Sequence, residues 1–145
     1  MRAITDAQRP LTERGEVETS HVAQAGIKAG MQPTKVYVSP YLRAQQSWQQ
    51  VKQWLPEKTP IETLDLITPD NNPAEVLDYL IAHSSDEKEV LLVCHQPLVG
   101  RLITLLSEAN SHGMGLNTST LVAIECEVPA ADCGELLWLK DPSNC

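Results

Sequence analysis

The chain has 145 residues, enough for one domain with its own core and too few for two comfortable ones. Its formal charge of −8 repels nucleic acid and anionic lipid, so any anion it binds must meet a local positive patch. No apolar run approaches the ~20 residues needed to span a bilayer, and the opening MRAITDAQRPLTERG lacks the apolar core of a signal peptide.

With no Phe, three Trp and three Tyr, the core must come from Leu, Ile, Val and Ala. Cys94, Cys126, Cys133 and Cys145 form no C-x-x-C and match no zinc spacing. Reduced thiols in a cytoplasmic protein are expected, with no metal site.

In chain order, PLTERGEVETSHVAQAGIKAG reads as a helix opened by Thr12 and closed near Gly30, with a weak apolar face through Val22 and Ala25. KVYV is a short strand. In SPYLRAQQSWQQVKQWLPE, Ser39 is the expected N-cap and Pro40 the first helical residue. Ala44, Trp48, Val51 and Leu55 form its stripe, and Pro56 ends the run. IETLDLI is an expected edge strand.

NNPAEVLDYLIAHSS is a helix capped by Asn72, with Pro73 first and Val76, Leu77, Leu80 and Ile81 as its stripe. EVLLVC is a continuous apolar strand of the type buried on both faces, and PLVGRLITLLSE is the helix after it. STLVAIECEV and ELLWLK are two strands joined by the turn PAADCG. Strands alternating with helices give a single α/β domain over residues 1–145, with three layers, α/β/α.

VYVSPYLRAQQS and LLVCHQPLVG share one construction: a strand ends, a polar residue follows, and a proline opens a helix. Ligand sites of open α/β sheets lie beyond the carboxyl ends of strands. The helix N-terminus after Ser39 attracts anions, and Arg43 in its first turn adds a fork of donors suited to phosphate oxygens. His95 holds the matching place at the second junction. Taken alone, an arginine at Arg43's place is more often a solvated helix residue than a ligand, and a histidine at His95's more often a strand-end residue satisfied by backbone. His21 and His83 fall on polar helix sides, and His112 lies in a loop, structural or idle.

RPLTERG, VYVSPYLRAQQS and VLLVCHQPLVG stand in the order of the RPLT…G, SP-x-x-RA-x-QT and H-x-PLV segments of the histidine phosphatase superfamily, and across nearly its whole length the chain most resembles the small SixA-type phosphohistidine phosphatases. The resemblance implies a phosphoglycerate mutase-like mixed sheet. It also implies hydrolysis of a phosphoramidate on a histidine-containing phosphotransfer domain of a sensor kinase or a similar phosphoprotein, in phosphorelay signalling, without metal or cofactor. It implies nucleophilic catalysis through a histidine, with arginines and a second histidine holding the equatorial oxygens. Arg43 then matches the phosphate-clamping arginine, His95 the second pocket histidine, and Arg9 a residue at the pocket rim.

The family's nucleophile stands in an Arg-His-Gly motif at the end of a first strand, well upstream of RPLT. No such motif occurs here, and only eight residues precede Arg9. Met1-Arg2-Ala3 lies too close to be a copy, and no strand delivers His112-Gly113. The expectation is an N-terminally truncated chain, with Met1 an internal methionine and the first strand and nucleophile missing.

In the family that strand is central, between those matching EVLLVC and LVAIEC. Without it the sheet should gap or rearrange there, the chain should fold poorly, or the exposed edges should recruit another chain. Each buried backbone group left unsatisfied costs ~1–3 kcal/mol, against a total stability of ~5–15 kcal/mol. Two alternatives remain: a non-catalytic phosphate or phosphoprotein binder, and a mutase or small-metabolite phosphatase of the same superfamily. The absence of G-x-G-x-x-G and of a P-loop argues against nucleotide binding.

Overall fold

The structure is a computed structural model and describes residues 11–107 and 119–144. The element order is α1 (Glu13–Lys28), β1 (Lys35–Val38), α2 (Leu42–Lys52), β2 (Ile61–Thr63), α3 (Pro73–Ser84), β3 (Val90–Val93), α4 (Leu98–Leu106), β4 (Leu121–Cys126) and β5 (Gly134–Lys140), with one 3-10 turn at Asp65–Ile67. Among the described residues these strands make two sheets. One is parallel, in the order β2-β1-β3, and the other is the antiparallel pair β4-β5. The split falls between β3 and β4, where the resemblance placed an additional strand.

Alternation along β1 sets the layers, because successive side chains leave a strand on opposite faces. Val36 and Val38 enter one core with Met31, Ala44, Trp48 and Leu55, the side covered by α1 and α2. Tyr37 enters the other with Leu64, Ile67, Val76, Leu77, Leu80, Leu98 and Leu102, the side covered by α3 and α4. The result is the expected three-layer α/β/α arrangement. Tyr37 carries a hydroxyl into an apolar layer, where it shares a 2.6 Å hydrogen bond with the buried Ser84 hydroxyl.

Local chemistry explains most helix ends. The Thr12 hydroxyl accepts from the Gly15 N–H at 3.0 Å and caps α1. That chain turns out again at Gly30, whose φ of 103° favours glycine. The Asn72 side chain accepts from the Ala74 N–H at 2.9 Å ahead of Pro73, as expected for α3.

Four expectations need correction. α2 starts at Leu42 with Tyr41 at its N-cap position, because Ser39 spends its hydroxyl on a local turn with the Tyr41 N–H, 3.3 Å away. Ile81 is 37% exposed, since the α3 stripe that meets the sheet is the narrower one of Val76, Leu77 and Leu80. On α1 the buried small residues are Ala23 and Gly26, and Ala25 is half-buried, because Gly26 is where that helix meets β4. β3 is half-exposed along its whole length, although its composition is that of a strand buried on both faces. It has a strand partner on one flank only among the described residues. β2, expected as an edge, is one, but only three residues long.

Candidate active site

The two junctions meet because β1 and β3 are parallel neighbours in register. Val38 lies opposite Val93, and the Ser39 N–H donates to the Val93 carbonyl at 2.9 Å, carrying the pairing one residue past the strands. The segments leading to Arg43 and to His95 therefore leave the sheet side by side at its carboxyl edge. Arg43 sits in the first turn of α2, and His95 two residues beyond β3. Arg43 Nε and His95 Nδ1 are both buried although their residues are partly exposed, so each side chain has one nitrogen against protein and a remainder that reaches the surface.

Three glutamines, none singled out by sequence reasoning, organise this edge. Gln45 donates from Nε2 to the Ser39 carbonyl at 2.9 Å and to the Thr63 hydroxyl at 3.4 Å, tying the ends of β1 and β2 to α2. Gln46 Oε1 accepts from the Leu11 N–H at 2.5 Å, anchoring the chain two residues after Arg9 to α2, one turn along from Arg43. Gln96 Oε1 accepts from the Gly100 N–H at 2.8 Å and satisfies one of the free donors at the start of α4, where Pro97 at the N-cap position has no side-chain acceptor. A Cβ at Gly100 would lie 3.0 Å from that oxygen, so glycine lets the glutamine approach. The only sequence signal for these roles was the run Gln45-Gln46 beside Arg43 and the four-residue spacing from Gln96 to Gly100.

Cys94 stands directly before His95. Burial against the α3 and α4 core pushes its thiol up to about 12, which keeps it protonated at neutral pH and unsuited to nucleophilic attack. His21 and His83 are exposed, as expected. His83 stacks on Tyr79 with ring centroids 4.1 Å apart, and its Nδ1 lies 3.1 Å from the Tyr79 carbonyl. Arg9 and His112 lie outside the described residues. Among the described residues no cluster of His, Cys, Asp and Glu has the makings of a metal site, and no helix is long and apolar enough to cross a membrane.

A shallow groove of about 320 Å³ lies elsewhere, between α1 and α2, lined by Glu16, Val17, Ser20, His21, Gln50 and Gln53. It lies toward the end of α2 away from Arg43 and includes the carboxylate of Glu16, so it offers an anion little.

No family model matches the chain. It is 30% identical over 143 residues to the phosphohistidine phosphatase SixA of Escherichia coli strain K12, a match that takes in 98% of this chain and 87% of that protein. A SixA homologue of Haemophilus influenzae is 39% identical over 75 residues, covering 50% of this chain and 46% of its own. Among solved structures, the protein histidine phosphatase SixA complexed with tungstate superposes with a TM-score of 0.86 at 30% identity, over 99% of this chain and 91% of that one. Sequence and fold agree over nearly the full length, and the chain belongs to the SixA-type phosphohistidine phosphatases of the histidine phosphatase superfamily.

Proposed function

We propose that the edge formed by the two junctions is a phosphoryl site, and that the protein's reaction is removal of phosphate from the histidine of a histidine-containing phosphotransfer domain. The observation that carries this reading is the in-register pairing continued by the Ser39 N–H and the Val93 carbonyl, which brings the approaches to Arg43 and His95 together at one sheet edge. Arg43 and His95 then hold the equatorial oxygens. The resemblance adds Arg9 as a further source of positive charge. In a chain of net charge −8, these groups are the local positive patch that an anionic substrate requires.

In the reaction an imidazole nitrogen attacks phosphorus while the P–N bond to the substrate histidine breaks and the departing nitrogen takes a proton. Water then cleaves the phosphorylated enzyme imidazole and releases phosphate. Fixed donors on the equatorial oxygens stabilise the charge that spreads there in each step. His95 is the oxygen-holding imidazole in this scheme.

A phosphotransfer domain carrying 32P on histidine tests the reading. The expected result is binding that weakens at least tenfold with Arg43→Ala and with His95→Asn. Binding indifferent to both substitutions would remove the site. Label trapped on His95 itself would make it the nucleophile and overturn the division of roles.

A further inference from the structure

We infer that the groove between α1 and α2 is a docking site for a guanidinium group, an arginine carried by the phosphoprotein partner about 10 Å from its phosphorylated histidine. The partner's identity rests on the phosphoryl site proposed above; the chemistry of the ligand rests on the groove alone. The hydrogen-bond donors of the groove are spent inward. The Ser20 hydroxyl oxygen accepts from Trp54 Nε1 and from Gln53 Nε2, each at 3.1 Å, and the same Gln53 nitrogen donates to the Gln50 carbonyl at 2.9 Å. Its acceptors are left over. Among the described residues the Glu16 carboxylate has no hydrogen bond and no cation within ion-pair reach, and Arg14 beside it is held by Glu18 at 2.8 Å. Gln50 Oε1 is met only at 3.4 Å.

A half-buried carboxylate flanked by amide oxygens suits a ligand that has donors and no acceptor. A guanidinium fits better than an ammonium, because two of its five N–H groups take the carboxylate in a fork and the others reach the glutamine oxygens in the same plane. Its aliphatic stem also finds cover. Val17 is 56% exposed and Trp54 38%, the indole being fixed by its bond to Ser20. Acidity by itself does not single out this place. Glu125 and Glu135 stand opposite each other across β4 and β5, both exposed, and carry twice the charge without the glutamine acceptors.

The position of the groove ties it to the phosphoryl edge. Arg43, Gln46, Gln50 and Gln53 follow at three- and four-residue steps, along one face of α2 and its C-cap. Gln46 is bound to Leu11 at the start of α1, and Gln53 to Ser20 further along both helices, so the two helices run side by side in one direction. The groove therefore lies two turns of α2 from Arg43. A standard interface covers ~800 Å² on each partner, a patch roughly 30 Å across, so a domain that seats its phosphohistidine at the edge also covers the groove. The chain's net charge of −8 favours a basic surface there.

NMR titration of the labelled chain with N-acetyl-arginine N-methylamide, beside its uncharged citrulline analogue, tests the groove. Expected are saturable shifts at Glu16, Val17, Ser20, Gln50 and Gln53, at least tenfold weaker binding of the citrulline analogue, and at least fivefold weaker binding of the arginine probe by Glu16→Gln. Binding of a phosphohistidine-bearing phosphotransfer domain should weaken at least threefold in Glu16→Gln and not in Glu13→Gln, which removes the same charge from an exposed position outside the groove. Equal binding of the two probes, shifts gathered at Glu125 and Glu135, or equal losses in the two glutamate variants would each overturn the inference. A phosphotransfer domain indifferent to Glu16→Gln would overturn the assignment to the phosphoprotein. If the arginine probe fills the groove but inorganic phosphate shifts neither junction, the groove stands and the phosphoryl site fails. If phosphate shifts both junctions and the arginine probe shifts nothing, this inference alone fails.

Discussion

Replacing Ser84 with Ala removes the partner of a buried hydroxyl on the α3 and α4 side of the sheet. Tyr37 is 2% exposed and Ser84 6%, and their oxygens are 2.6 Å apart, so neither group has water to fall back on. A buried polar group stripped of its partner costs ~1–3 kcal/mol. The two single substitutions should not cost the same. In Ser84→Ala the phenol of Tyr37 is left buried without its partner in an apolar layer, and the upper end of that range applies. In Tyr37→Phe the serine hydroxyl can turn back onto a carbonyl of its own helix one turn earlier, which places the cost near 1 kcal/mol. The double variant loses both polar groups, so the cycle should show a coupling of about 1–2 kcal/mol. Urea unfolding of the four proteins measures it, and for a chain of this size each kcal/mol lowers Tm by ~2–4 °C. Costs that add to within ~0.5 kcal/mol would show that the two hydroxyls do not depend on each other and would refute the reasoning.

Gly134→Ala should destabilise by ~1–3 kcal/mol, because its Cβ would lie 2.7 Å from Ile124 Cγ2 and 3.0 Å from the Leu106 carbonyl, which is backbone and cannot step aside. Chemical denaturation reads the loss. Leu98→Ala, at a fully buried position three residues after His95, should cost ~2–5 kcal/mol and broaden the NMR signals of the α4 start.

Stability should also fall with alkali. The folded Cys94 thiol holds its proton to about 12 while the unfolded one releases it near 9, so the unfolded state binds fewer protons in between. Below pH 9 the contribution of Cys94 is complete. Between 9 and 12 it is lost at ~1.4 kcal/mol per pH unit. Cys94→Ala should flatten that part of a urea-midpoint profile, and an identical slope in both proteins would contradict the assignment.

Helices with explicit caps were readable because their signals are local. Thr12 and Gly30 bracket α1, and Asn72-Pro73 opens α3, whatever lies around them. Ser39-Pro40 carried the same residue types and misled by two positions. A serine oxygen that serves a local turn cannot also cap the helix, and the choice depends on how β1 enters the sheet. The half-exposure of β3 was not readable either, since burial of an apolar strand is decided by what stands on its two flanks. Arg43 and His95 stood out in the sequence because each lies at a junction where a strand gives way to a helix. Gln45, Gln46 and Gln96 escaped because their partners, Thr63, Leu11 and Gly100, become neighbours only once the chain has folded.

The central claim is that the approaches to Arg43 and His95 form one oxyanion site at the carboxyl edge of the parallel sheet. Titrating the labelled protein with inorganic phosphate and following backbone amides and the histidine ring signals by NMR tests it most directly. Shifts gathered at Ser39–Arg43 and Cys94–Gly100 together, with the His95 ring moving in step and all of them lost in Arg43→Ala, are the predicted result. Shifts at only one junction, or at His21 and Gln50 in the groove between α1 and α2, would contradict it.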